Sequence, residues 1–305
     1  IVAQRGDVLC YMPPLGDGRY GALAPVASQV SAARLGQDAQ LVDLDGDGRL
    51  ELTVMDEGYH ARTADGEWGP WRSFTAVPTI PWSDPQLRQL DLDGDGLPDL
   101  LLTEADHFVW VPSRGAEGWG APVHLPKPGD ERAGPAVVFD DAAGRIVLAD
   151  MTGDGLQDIV RIEHAAVHYW PNLGLGRFGR RVTMDGDPFF AADDEFDARR
   201  VRLGDIDGSG TTDLVVLDER GARVWFNRSG NGWSPPQRIT AFPGVAATTA
   251  VELIDVRGTG TSCLVWSEAA DWAKPLPVRY VELALEKPHL LVEVDNGVGL
   301  VTRLA

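Results

Sequence analysis

Five stretches of the chain share one pattern of apolar and polar positions. Each is a short apolar run, a turn of Asp and Gly, and a second run rich in Leu, Ile and Val. They read LVDLDGDGRLELTVM from Leu41, QLDLDGDGLPDLLLT from Gln89, LADMTGDGLQDIVRI from Leu148, LGDIDGSGTTDLVVL from Leu203 and LIDVRGTGTSCLVWS from Leu253. Two apolar runs joined by a Gly-rich turn predict an antiparallel hairpin. The leading acids Asp43, Asp91, Asp150, Asp205 and Asp255 are separated by 48, 59, 55 and 50 residues. Some 25–28 residues after four of them comes an aromatic next to Gly, at Trp68, Trp119, Phe178 and Trp233. Before most of these sits another strand-like run, as in FVWVPS, VHYWPN and VWFNRS. One unit is therefore two hairpins, or four strands, and four-stranded units repeated radially predict an all-β propeller. The units lie near residues 41–55, 89–103, 148–162, 203–217 and 253–267, within a single domain over 1–305.

The ends extend the prediction. GDGRYGALAP from Gly16 is an aromatic turn with no Asp core before it, and the Asp255 core is followed by VRYVELALEKPHLLVEV with no Gly–aromatic turn. Sharing one blade between strands from both termini would close the ring and leave no exposed sheet edge. Five or six blades fit; the length favours six.

Composition adds constraints. Gly 35 and Pro 21 in 305 residues imply many tight turns. A formal net charge of −19 argues against nucleic acid as a partner, because neutralising phosphates needs clustered Lys and Arg. No apolar run approaches the ~18 residues of a membrane span, and the start shows no signal-peptide pattern. Two cysteines, Cys10 and Cys263, make no disulfide framework and read as small buried hydrophobes. The six histidines form no H-E-x-x-H motif and no evident metal pair; His164 and His168 lie on one strand-like run. With no nucleophile or phosphate-loop motif either, the chain reads as a binding module and not an enzyme.

The loops carry the candidate chemistry. Their full pattern is D-x-D-G-D-G-x-x-[DE], with oxygens at positions 1, 3, 5 and 9. Calcium takes six to eight hard oxygen ligands, which alternating carboxylates on a tight turn can supply. The first loop offers Asp43, Asp45, Asp47 and Glu51, and the second Asp91, Asp93, Asp95 and Asp99. Weaker sets follow: Asp150, Asp154 and Asp158 with Thr152, then Asp205, Asp207 and Asp213 with Ser209. The fifth loop keeps only Asp255, with Arg257 and Cys263 at ligand positions. A metal-free reading stands beside this one. Asp in a tight turn bonds backbone amides ahead of it, and Gly supplies the backbone twist unaided.

Asp/Gly loops at this period resemble the FG-GAP or VCBS repeats of integrin-type propellers. A closer resemblance lies in YWPNLGLGRFGRRVTMDGDPFF, DEFDARRVRLGDIDGSGTTDLVVL, VWFNRSGNGWSPP and RYVELALEKPHLLVEVDNGVGLVTR, over roughly residues 168–303. These are similar to the middle region of Tc-toxin B components and their SpvB-type relatives. The resemblance implies a secreted propeller that closes one end of a toxin-holding shell of Rhs-type repeats shared with the C component. It also implies docking on, and gating of, the pentameric A component. Residues 290–305 would then lead toward the shell. The competing reading is a calcium-dependent adhesion or ligand-binding propeller.

Recognition is expected on long irregular connections, such as those from Ser73, Val123 and Thr183. The third pairs Phe189 and Phe190 with Asp193, Asp194 and Glu195, an apolar anchor with an acidic rim.

Overall fold

In the computed structural model the described residues are 2–5, 8–16, 18–27, 39–141, 145–163, 165–186, 188, 197, 200–218, 220–240, 249–268, 278–284 and 290–304. The N-terminal strands are β1 (Val2–Arg5), β2 (Val8–Tyr11), β3 (Pro14–Gly16), β4 (Arg19–Tyr20) and β5 (Ala24–Pro25). Strands β1, β2 and β5 form one small sheet, and β3 and β4 a separate hairpin.

Four antiparallel four-stranded sheets follow, each in chain order. The first is β6 (Ala39–Val42), β7 (Glu51–Val54), β8 (Gly58–Arg62) and β9 (Trp68–Ser73). The second is β10 (Leu87–Leu90), β11 (Asp99–Thr103), β12 (His107–Val111) and β13 (Val123–Pro126). The third is β14 (Ile146–Ala149), β15 (Asp158–Glu163), β16 (Ala166–Trp170) and β17 (Val182–Thr183). The fourth is β18 (Val201–Gly204), β19 (Asp213–Asp218), β20 (Gly221–Trp225) and β21 (Gln237–Ile239). A fifth, of three strands, is β22 (Thr249–Ile254), β23 (Cys263–Glu268) and β24 (Val278–Glu282). A last hairpin pairs β25 (Glu293–Asp295) with β26 (Val301–Arg303).

The blades stand side by side because each buries its apolar faces against the next. Leu90, Leu101 and Phe108 of the second blade share a core with Ile146, Ile159 and Trp170 of the third. Val160, Ile162 and Tyr169 of the third meet Leu214, Val216 and Trp225 of the fourth. Val215, Leu217 and Val224 of the fourth meet Val251, Leu264 and Trp266 of the fifth. First strands of neighbouring blades also touch: Gln89 Nε2 donates to Gln40 Oε1, and Arg202 Nε to Val251 O. Burial of apolar faces against neighbours, at roughly 25 cal/mol per Å², holds such an array together.

One expectation changes. The repeats build five blades, not the six that length favoured, because the surplus residues go elsewhere. They form the small N-terminal sheet, the β25–β26 hairpin and long connections such as the one between β13 and β14. On closure, among the described residues no N-terminal strand pairs with a C-terminal one. The N-terminal segment instead touches both neighbours through side chains. Leu9 and Val26 pack with Leu52 and Trp68 of the first blade. A Cβ at Gly18 would lie 3.1 Å from Tyr280 Oη on the fifth.

Candidate functional site: the Asp/Gly loops

Each Asp/Gly loop joins the first strand of its blade to the second. At position 1 the carboxylate grips the turn. Asp43 accepts from Gly46 N and Gly48 N at 2.9 Å each, and Asp91 from Gly94 N and Gly96 N at 2.7 and 2.8 Å. Asp150, Asp205 and Asp255 repeat this pair of bonds on their own glycines. The glycines at positions 4 and 6 take φ between +71° and +93° in all five loops, a region only glycine enters freely.

At position 9 the acid is buried and does different work. Asp99 accepts from Leu92 N, Trp110 Nε1 and Ser113 N, so it ties the loop to the third strand of the blade. Asp158 takes Met151 N and Asn172 N; Asp213 takes Ile206 N and Asn227 N. Glu51 takes Leu44 N. Burial pushes the carboxyls up, Asp99 to about 6 and Asp158 and Asp213 to about 7, against the pull of the donated N–H bonds. Glu51 is raised too, by burial first and then by its Asp neighbours. In the fifth loop Cys263 replaces the acid, and burial raises its thiol. There the hydrogen bonds from Gly260, Thr259, Gly258 and Arg257 outweigh burial and lower Asp255.

Three loops bring acids together. The groups Asp43–Asp45–Glu51, Asp91–Asp93–Asp99 and Asp205–Asp207–Asp213 each offer carboxylate oxygens within 4.8 Å of one another. An all-oxygen, three-carboxylate set suits a hard divalent cation, and water and carbonyls could complete six to eight ligands. Asp47 and Asp95 stand outside these groups and accept from Arg49 N and Leu97 N. The third loop, with Thr152 at position 3, gathers no such group among the described residues, although Asp154 sits as expected and accepts from Leu156 N. The fourth loop therefore ranks with the first two, a grouping the sequence pattern understated.

Loop carbonyls also receive the next blade. Asn172 Nδ2 donates to Asp91 O, Thr212 N to Asp150 O, and Ser262 Oγ to Asp205 O. Asn227 Nδ2 bridges Met151 O of the third blade and Thr212 O of its own. These residues were missed as functional positions. Their signal was a constant offset: Ser113, Asn172 and Asn227 each follow the position-9 acid by 14 residues.

The candidate recognition loops divide. After Ser73, Phe74 meets Trp119 edge-on and Trp82 meets it at a tilt, with ring centres 6.5 and 5.9 Å apart, so these aromatics serve the core. After Val123, Glu131 pairs with Arg161 in two bonds of 2.7 and 2.9 Å and accepts Trp170 Nε1 on its carbonyl. Phe189, Phe190, Asp193, Asp194 and Glu195 lie outside the described residues, as does His164.

Comparison with known proteins bears on this geometry. A family model described as FG-GAP-like repeat matches residues 150–216, the third and fourth Asp/Gly units. No curated protein matches the chain. A chain of the Photorhabdus luminescens Tc holotoxin pore is 27% identical over 98% of this chain, with a TM-score of 0.78. The resemblance to the Tc-toxin B component holds. A TcdB2–TccC3 structure without its hypervariable C-terminal region is also 27% identical over 98% of the chain, with a TM-score of 0.55. This chain spans 14% of the length of either of those chains. An Agrocybe aegerita lectin specific for non-reducing terminal N-acetylglucosamine is 18% identical over 86% of this chain and 68% of its own (TM-score 0.59), a likeness of fold alone. No helix among the described residues is long and apolar enough to cross a membrane.

Proposed function

We propose that the chain is the propeller module of a secreted Tc-type toxin B component, acting as a rigid, non-catalytic part. In that role it closes the shell that holds the C component's toxic segment, and it docks on and gates the A-component channel. The observation that carries this reading is similarity to a Tc holotoxin pore chain over 98% of the residues. The local chemistry is compatible. The carboxyls pushed toward neutrality are bonded to backbone N–H groups inside the blades, which leaves them tied to structure and not poised over a cleft.

We further propose that the N-terminal sheet completes the ring between the first and fifth blades, on the contacts of Leu9, Val26 and Gly18. The first, second and fourth Asp loops would hold calcium as a staple at the blade junctions, supplying charge neutralisation and no chemistry. A full-length B–C protein lacking residues 1–305 tests the main reading. It should retain its shell yet lose stable association with its A component in sedimentation. Undiminished association without the propeller would place docking elsewhere.

A further inference from the structure

His107 and His124 are 17 residues apart and show no motif, yet the fold brings them together. In the β12–β13 pairing Val109 stands opposite His124 and His107 opposite Pro126. The two histidines are therefore diagonal neighbours on one face of the outer strands of the second blade. Their ring centres are 4.9 Å apart. An ion bound by two imidazoles lies about 3.2 Å from each ring centre, the sum of a bond of about 2.1 Å and about 1.1 Å inside the ring. Ligand angles of roughly 90–109° then place the ring centres about 4.5–5.2 Å apart, which brackets the observed spacing.

A carboxylate also stands against one of the rings. Asp106 Oδ1 lies 2.7 Å from His107 Nδ1. This contact draws the proton to Nδ1 and leaves Nε2 with a lone pair, as carboxylate partners do for metal-bound histidines. Both rings are accessible: the His107 side chain is 30% exposed and His124 is exposed. Lys127, the nearby cation, donates to the Glu104 carbonyl and sits over the Phe108 ring.

We propose that His107 and His124 form a two-imidazole site for a late first-row divalent ion of the zinc, nickel and copper class, with Asp106 as positioning residue. Nitrogen ligands select these ions over calcium and magnesium, which separates this site from the all-oxygen Asp loops. Two protein ligands leave the remaining positions to water. The bound ion would tie β13, the outermost strand of its blade, to β12 and so brace an exposed sheet edge.

The test is calorimetric titration of the whole chain with nickel chloride, in about 2 mM calcium to occupy the Asp loops. His107→Ala and His124→Ala should each weaken nickel binding at least tenfold, and Asp106→Asn by about ten- to a hundredfold. Because both rings are accessible, metal-free melting should be unchanged in the histidine variants, and Asp255→Ala should bind nickel as the parent does. Copper should give an electron paramagnetic resonance spectrum with coupling from two imidazole nitrogens. Nickel binding unchanged in His124→Ala, nickel displaced by calcium, or a copper spectrum without that nitrogen coupling would each overturn the proposal.

Discussion

Asp99, Asp158 and Asp213 occupy one place in three successive blades, fully buried and bonded both to the loop and to the residue two positions past the third strand. Their pH behaviour follows from the direction of their shifts. Folded values of about 6 to 7 against an ordinary 3.8 mean that the folded chain holds protons the unfolded chain has released. Stability from these groups is thus fully present below the unfolded value and is lost as pH rises through the folded one. In chelator the urea midpoint should be higher at about pH 5.5 than at about pH 8, and a midpoint that rises with pH would contradict this. Calcium should act in the opposite sense, stabilising more at the higher pH, where the carboxylates are free to bind it. At about ten times its dissociation constant it adds roughly 1.4 kcal/mol per site by mass action. Asp91→Ala should remove one such increment, and Asp255→Ala should leave the calcium response as it was. Identical melting in calcium and in chelator would leave the loops as metal-free turns. Asn227 offers a separate probe, since its amide meets Met151 O and Thr212 O and its Oδ1 accepts Gly230 N. Asn227→Ala should cost about 1–3 kcal/mol in urea denaturation, as expected when buried polar partners lose their bonds.

At the scale of elements, the N-terminal segment gives the sharpest prediction. Deleting residues 1–26 removes Leu9 and Val26 from the core they share with Leu52 and Trp68, and it bares an apolar face of the first blade. The truncated chain should self-associate or unfold less cooperatively, as gel filtration and calorimetry would show. Normal monomeric behaviour would make this segment a linker. The same elements show what the sequence made legible. Hairpin and turn recur five times from Asp43 to Asp255 and the aromatic marker four times, so five units and the four-strand plan of the first four are legible in the sequence. The position-9 acids read as metal ligands, yet three of the four also clasp the segment just past the third strand, because the pattern of acids does not reveal where the N–H groups of residues 113, 172 and 227 arrive. The blade count was overstated because length cannot distinguish blade from hairpin or connection. His107 and His124 escaped notice since only cross-strand register brings them together. The connection after Ser73 reads as a recognition loop from its length and irregularity, which do not reveal that Phe74 and Trp82 pack on Trp119.

For the molecule as a whole, a net charge of −19 on a rigid five-bladed frame favours basic partner surfaces and fast, salt-sensitive association. The segment with Phe189, Phe190, Asp193, Asp194 and Glu195 remains the proposed contact. Replacing its three acids by Ala should slow association with an A-type pentamer and flatten its salt dependence, with folding unchanged; identical on-rates at every salt would remove this segment from the interface. The most direct test of the central claim is the association of this chain with its cognate A-component pentamer, measured by biolayer interferometry in calcium and in chelator. Docking by a Tc-type propeller predicts saturable binding of similar affinity in both. No binding in either, or binding that requires calcium, would contradict it and favour a calcium-dependent adhesion module.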